Sequence, residues 1–153
     1  MSKMKWYKNI SFDKISYYLP EKIENVEVLS QSFKNWDVER IISKTGIKKR
    51  YIANKSETAV DLAKKATIKF FDEHSISTED IQGLIFVTQS PDYALPTSAC
   101  ILQHELGLPI NILAFDINLG CSGFVNSLSV AMSLIDSSML NNCLVVCAET
   151  YNK

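Results

Sequence analysis

The residue types here best suited to covalent or metal chemistry are four cysteines, Cys100, Cys121, Cys143 and Cys147, and two histidines, His74 and His104. No C-x-x-C pair occurs and the histidines are few and scattered, so no metal site is expected. Without an export signal the thiols are expected to stay reduced. Cys121 has the most reactive setting, in Asp116-Ile117-Asn118-Leu119-Gly120-Cys121-Ser122-Gly123-Phe124. A buried strand is predicted to end here, Gly120 permits a sharp turn, and the cysteine stands at the first turn of a helix. Such a turn carries the thiol to the carboxyl edge of the sheet, where ligands bind in open α/β folds. The helix dipole and unpaired backbone N–H groups favour the thiolate. The Cys121 N–H could also stabilise an oxyanion on an attacked thioester carbonyl. Gly120 and Gly123 leave room for a substrate. The arrangement is analogous to the serine elbow of hydrolases, with a softer nucleophile suited to thioester exchange.

A lone cysteine near a helix start is more often a small buried hydrophobe than a nucleophile, so the elements around it must carry the argument. Cys100, on a predicted helix, and Cys143 and Cys147, four apart on one face of a predicted strand, read as core thiols. His74 sits near a helix end and His104 within a helix, and both read as packing or surface residues.

The clearest helix is predicted from about Glu57 to His74, with Ala59, Leu62, Ala63, Ala66 and Phe70 at three- and four-residue spacing and Ser56 as N-cap. Leu84-Ile85-Phe86-Val87 is too short for a helix and reads as a strand buried on both faces. A short helix follows from about Ser98 to Leu106, closed by Gly107. A second apolar strand, Ile112 to Leu119, runs into Cys121. Phe124, Leu128, Ala131 and Ile135 share one face of the next helix, and Cys143 to Ala148 forms a third buried strand. Upstream, Asn9 to Leu19 alternates roughly and suggests a first strand ended by Pro20. Glu21 to Asn35 is weakly helical. Asp37 could cap a helix Val38–Lys44, with Gly46 in the C′ position. Strands alternating with helices argue for a parallel sheet covered on both faces, in one domain.

The chain has 153 residues, a net charge of −1, 46% hydrophobic and 22% charged residues, which suits one globular domain with a core. Interleaved charges and the absence of a basic patch argue against nucleic acid. The start, Met1-Ser2-Lys3-Met4-Lys5, has no apolar segment behind it, and no apolar run reaches the ~20 residues that span a bilayer. A cytoplasmic, non-membrane protein is expected.

Over about Ile10 to Asn152 the sequence resembles the thiolase-like condensing enzymes, and among them ketoacyl-acyl-carrier-protein synthase III. Four matches occur in order. Thr45-Gly46-Ile47-Lys48-Lys49-Arg50 is similar to a T-G-I-basic-x-R segment, and Glu57-Thr58-Ala59 opens a long helix at the expected place. Pro96-Thr97-Ser98-Ala99-Cys100 resembles a P-S-A-A-C segment, and Ala114 through Phe124 resembles the nucleophile motif. The resemblance implies an α/β, thiolase-like, three-layer α/β/α half with a mostly parallel sheet lacking its last strand. It also implies that residues 1–153 form an amino-terminal half-domain, the carboxy-terminal half being absent.

The implied chemistry is acyl transfer from acyl-coenzyme A to Cys121, then condensation with malonyl-acyl-carrier-protein in fatty acid or related lipid biosynthesis. No cofactor is expected beyond the coenzyme A thioester as substrate, and the partners are acyl-coenzyme A, acyl carrier protein and a second copy in a homodimer. Family members complete the reaction with a His and an Asn from the second half, and neither histidine here matches those positions. Arg40 and Lys44 stand near the expected coenzyme A contacts, with Trp36 shifted from the family's tryptophan. Leu95 falls where the family often has an aromatic residue that bounds the acyl pocket across the dimer. The alternatives are a hydroxymethylglutaryl-coenzyme A synthase-like or polyketide starter condensation, or a truncated, non-catalytic acyl-binding or partner protein.

Overall fold

The computed structural model describes residues 10–31 and 37–151, which fall into two compact units. The smaller unit, residues 19–57 with the last few residues, contains β1 (Lys22–Asn25), α1 (Val26–Gln31), α2 (Val38–Thr45) and β2 (Lys49–Ile52). β1 and β2 pair antiparallel, and the register sets Glu24 opposite Arg50, whose side chains form an ion pair. Local chemistry delimits α2. The Asp37 carboxylate accepts from the Arg40 N–H at 3.0 Å, and Gly46 ends the helix at φ 71°, its N–H reaching the Ile42 carbonyl. Only glycine adopts that left-handed turn without strain. Both ends were readable in advance. The weakly helical stretch from Glu21 proves divided: four residues pair with β2 before α1 begins, and residues 32–36, Trp36 among them, lie outside the described residues.

The larger unit, residues 1–18 and 58–149, holds α3 (Ala59–His74), β3 (Gly83–Val87), α4 (Ser98–Glu105), β4 (Leu113–Ile117), α5 (Gly123–Asp136) and β5 (Leu144–Cys147). α3 begins two residues later than expected. Thr58, not Ser56, is its N-cap, because Thr58 and Asp61 form a reciprocal capping box that satisfies two end donors. The three strands form a parallel sheet in the order β4-β3-β5. β3 is buried along its whole length, and its side chains alternate between two cores. Leu84 and Phe86 meet Ala59, Val60 and Ala63 of α3 and Ala99 and Leu102 of α4. Ile85 and Val87 face Ala131 and Leu134 of α5. This is the expected α/β/α sandwich. Its layering follows from handedness: β3 to β4 and β4 to β5 run in opposite directions across the sheet, so crossovers of the same hand put α4 and α5 on opposite faces.

The strand expected at Asn9 to Leu19 is not formed. Asn9 lies outside the described residues, and residues 10–20 belong to no helix or strand. Their rings lie instead on helices: Phe12 meets Phe124 edge-on at 6.3 Å, while Lys65 and Lys69 sit over Tyr18 and Tyr17. An alternation that slips once cannot present a continuous face to a sheet.

Candidate active site

The order of strands locates the site. After β3 the chain turns to one side of the sheet, and it returns on the other side as β5, so the carboxyl end of β3 is a switch point where flanking loops diverge. A cavity of about 350 Å³ opens there, lined by Val87 and Gln89 after β3, Leu119 to Cys121 and Phe124 after β4, and Cys147 to Glu149 after β5. Cys121 is exposed within this lining. The nucleophile candidate therefore lies at the sheet edge and opens onto a cavity.

The turn that presents it is tight. Gly123 N–H donates to the Gly120 carbonyl at 2.8 Å, and α5 starts at Gly123 with Ser122 at the N-cap, so Cys121 stands just before the helix rather than in its first turn as expected. Ser122 supplies no side-chain cap; its carbonyl accepts from both the backbone and the side-chain amide of Asn126 at 3.0 Å. Among the described residues the Cys121 backbone N–H has no hydrogen-bond partner. A free donor on the nucleophile's own residue, at a helix start, is a ready anion contact.

Gly120 and Gly123 are small for reasons the structure specifies. A Cβ on Gly123 would lie 2.5 Å from Val87 Cγ1, inside contact distance, so the missing side chain lets α5 dock on the buried end of β3. A Cβ on Gly120 would lie 2.5 Å from the Gln89 carboxamide nitrogen. Gly120 is not among the glycines with positive φ, so its role in the turn is to make space rather than to supply a left-handed residue. The room left by these glycines is taken by Val87 and Gln89.

The other thiols differ from expectation. Cys143 is half-buried against β3 and α5, and burial pushes its thiol up to about 11. Cys147 is exposed on the cavity rather than a core residue, since β5 pairs only with β3 among the described residues; partial burial and then the nearby Glu149 carboxylate raise its pKa. Cys100 is exposed as well. α4 buries Ser98, Ala99 and Leu102, which turns Cys100 outward. Neither histidine lines the cavity: His74 packs its ring on Phe70 at 5.1 Å and His104 is exposed on α4. Leu95 is 81% exposed and is not part of the Cys121 cavity. Arg40 and Lys44 are exposed on α2, in the other unit. No group of three or more His, Cys, Asp or Glu that could hold a metal occurs among the described residues.

Three site-supporting residues escaped the sequence reading. Glu149 accepts from the Gln89 backbone N–H and, at 2.8 Å, from the Ser90 hydroxyl, tying the end of β5 to the loop after β3. Gln89 lies against the nucleophile turn. Asp116 accepts from the Ser98 and Ala99 N–H groups at 2.8 and 2.7 Å and so caps α4 from the neighbouring strand. The first two each stand two residues beyond a parallel strand, a position that could have marked them as sheet-edge residues.

Comparison with known proteins agrees with this geometry. The family model for 3-oxoacyl-[acyl-carrier-protein] synthase III matches residues 115–153, which include the cysteine turn. The beta-ketoacyl-[acyl-carrier-protein] synthase III of Caldanaerobacter subterraneus subsp. tengcongensis is 40% identical over 89% of this chain and 40% of its own length. A crystal structure of a 3-oxoacyl-(acyl-carrier-protein) synthase III superposes with a TM-score of 0.84 at 44% identity, covering 90% of this chain and 41% of that one. The corresponding enzyme from Aquifex aeolicus VF5 gives a TM-score of 0.80 at 35% identity, covering 88% and 43%. The chain spans about two fifths of the length of these relatives. It therefore has the thiolase-like α/β fold and is similar, in sequence and in structure and over most of its own length, to the 3-oxoacyl-[acyl-carrier-protein] synthases III.

Proposed function

We propose that the chain carries the acyl-accepting site of a 3-oxoacyl-acyl-carrier-protein synthase III-like acyltransferase, as its amino-terminal portion. In this reading Cys121 attacks an acyl-coenzyme A thioester, its own N–H helps to hold the oxyanion, and the acyl group passes on to malonyl-acyl-carrier-protein in cytoplasmic fatty acid synthesis. The observation that carries the reading is an exposed cysteine whose backbone N–H has no partner among the described residues, opening onto a switch-point cavity, in a chain about 40% identical to enzymes of that name. A thiolate with one oxyanion donor suffices for acyl transfer. Condensation asks for more, because the enolate from malonate needs its own donors, and no histidine lines this cavity. The test follows the chain by mass spectrometry with acetyl-coenzyme A, then with malonyl-acyl-carrier-protein. Acetylation of Cys121 without sustained ketoacyl product is expected of this chain. Absence of acetylation at Cys121 refutes the reading.

Arg40 and Lys44 are proposed as coenzyme A phosphate contacts and Leu95 as a residue bounding the acyl pocket at a homodimer interface. Their exposure is compatible with such contacts. The homodimer itself is supported by β4, which pairs only on its β3 side among the described residues, and an open edge invites a second strand. Light scattering at micromolar concentration is expected to report a dimer or larger species; a monomer contradicts the proposal.

A further inference from the structure

Gln89 stands at the end of a pinned segment. Thr88 extends the ladder by one hydrogen bond to the Ile117 carbonyl at 3.3 Å, and the Ser90 N–H closes on the Thr88 hydroxyl at 3.1 Å. The Glu149 carboxylate then holds the Gln89 N–H with one oxygen and the Ser90 hydroxyl with the other. The backbone of Gln89 is thus fixed from both neighbouring strands. Its side chain is directed by Gly120, since the carboxamide occupies the space where any other residue would place a Cβ, and it lines the cavity onto which Cys121 opens. The carboxamide makes no hydrogen bond to any other described residue. Gln89 is exposed, and its two N–H donors and its carbonyl acceptor stand beside the nucleophile turn with no partner among the described residues.

We propose that Gln89 is a substrate-contact residue whose carboxamide N–H donates to the carbonyl oxygen of the acyl group that Cys121 accepts. The proposal rests on the reading of Cys121 as the acyl acceptor. In the step concerned, the Cys121 sulfur bonds to the thioester carbon and the carbonyl electron pair moves onto oxygen. The intermediate then collapses, breaking the bond to the coenzyme A sulfur, which leaves as a thiolate and takes up the proton lost by Cys121. A hydrogen bond strengthens as the acceptor oxygen gains charge, so the donor lowers the barrier to acylation. It has no corresponding role towards a reagent without a carbonyl.

That difference supplies the test. Acylation of Cys121 by acetyl-coenzyme A and thiolation by methyl methanethiosulfonate are followed by mass spectrometry in the full chain and in Gln89→Leu and Gln89→Met. Both variants lose the donor without adding a charge beside the thiol, and the second keeps the length of the side chain. Acylation is expected to slow at least about tenfold in each, in line with loss of one hydrogen bond to a developing charge, while the methanethiosulfonate rate stays within about twofold. Equal acylation rates in the wild type and Gln89→Met overturn the role of Gln89 and leave Cys121 as acceptor. Parallel slowing of both reactions assigns Gln89 to the structure of the turn and also overturns it. A wild-type chain that reacts with methanethiosulfonate but not with acetyl-coenzyme A at Cys121 refutes the underlying reading instead.

Discussion

At the scale of single residues, the four thiols are told apart by what surrounds them. Cys121 is exposed just before the start of α5, and its backbone N–H has no partner among the described residues. Cys100 is exposed as well, in the first turn of α4, but there the Asp116 carboxylate occupies the Ser98 and Ala99 N–H groups and offsets the positive end of the dipole. Burial holds the Cys143 thiol protonated, and burial with the Glu149 charge does so for Cys147. Since the thiolate is the nucleophile, iodoacetamide at neutral pH is expected to label Cys121 first, with Cys143 slowed by burial and its raised pKa. Peptide mapping with Cys100, Cys143 or Cys147 labelled ahead of Cys121 contradicts this. The motif made Cys121 legible from sequence. The exposure of Cys100 and Cys147 was not legible, because it depends on which helix face and which strand edge the tertiary packing leaves uncovered.

Elements hold the site through two contacts that no local pattern announces. Gly123 lets the first turn of α5 lie on Val87, a residue only 4% exposed. A methyl group there must move β3 or α5. Gly123→Ala is expected to cost about 1–3 kcal/mol in urea unfolding, as overpacking does, and to slow Cys121 labelling by shifting the turn. An unchanged midpoint shows that the close approach is relieved without strain. Asp116 plays the complementary part for α4, whose N-cap Thr97 makes no side-chain cap hydrogen bond. Asp116→Ala removes the acceptor for two N–H groups and is expected to destabilise the chain by about 1–2 kcal/mol, the usual range for a lost cap. A melting temperature equal to that of the wild type counts against it. Where caps are local, as at Asp37, Gly46 and the Thr58–Asp61 box, the sequence placed helix ends to within two residues. Asp116 caps a helix some seventeen residues away, so only the pairing of strands reveals it.

At the scale of the whole molecule, β3 organises the larger unit: it is buried throughout, feeds a core on each face, and sets the switch point above which the cavity opens. Cys143 packs against the α5-side core, which links stability to pH. Its folded-state pKa of about 11 lies above the ordinary 9.0, so the fold favours the protonated thiol. That contribution is complete below about pH 9 and is lost as pH rises through about 11. Chemical unfolding below and above that window is expected to show a loss in the wild type that Cys143→Val lessens; an equal loss in both contradicts it. Three apolar runs of strand length, two helical periodicities between them and one Gly-Cys-Ser-Gly turn determined the α/β class, the order of elements and the nucleophile candidate, because periodicity and turn chemistry are local properties of the chain. Tertiary structure alone decided the strand order β4-β3-β5, the failure of the stretch before Pro20 to join a sheet, and the meeting of Gln89 and Glu149 with Cys121. Each depends on which segments become neighbours in space, and burial and crossover handedness settle that only when the whole sheet closes.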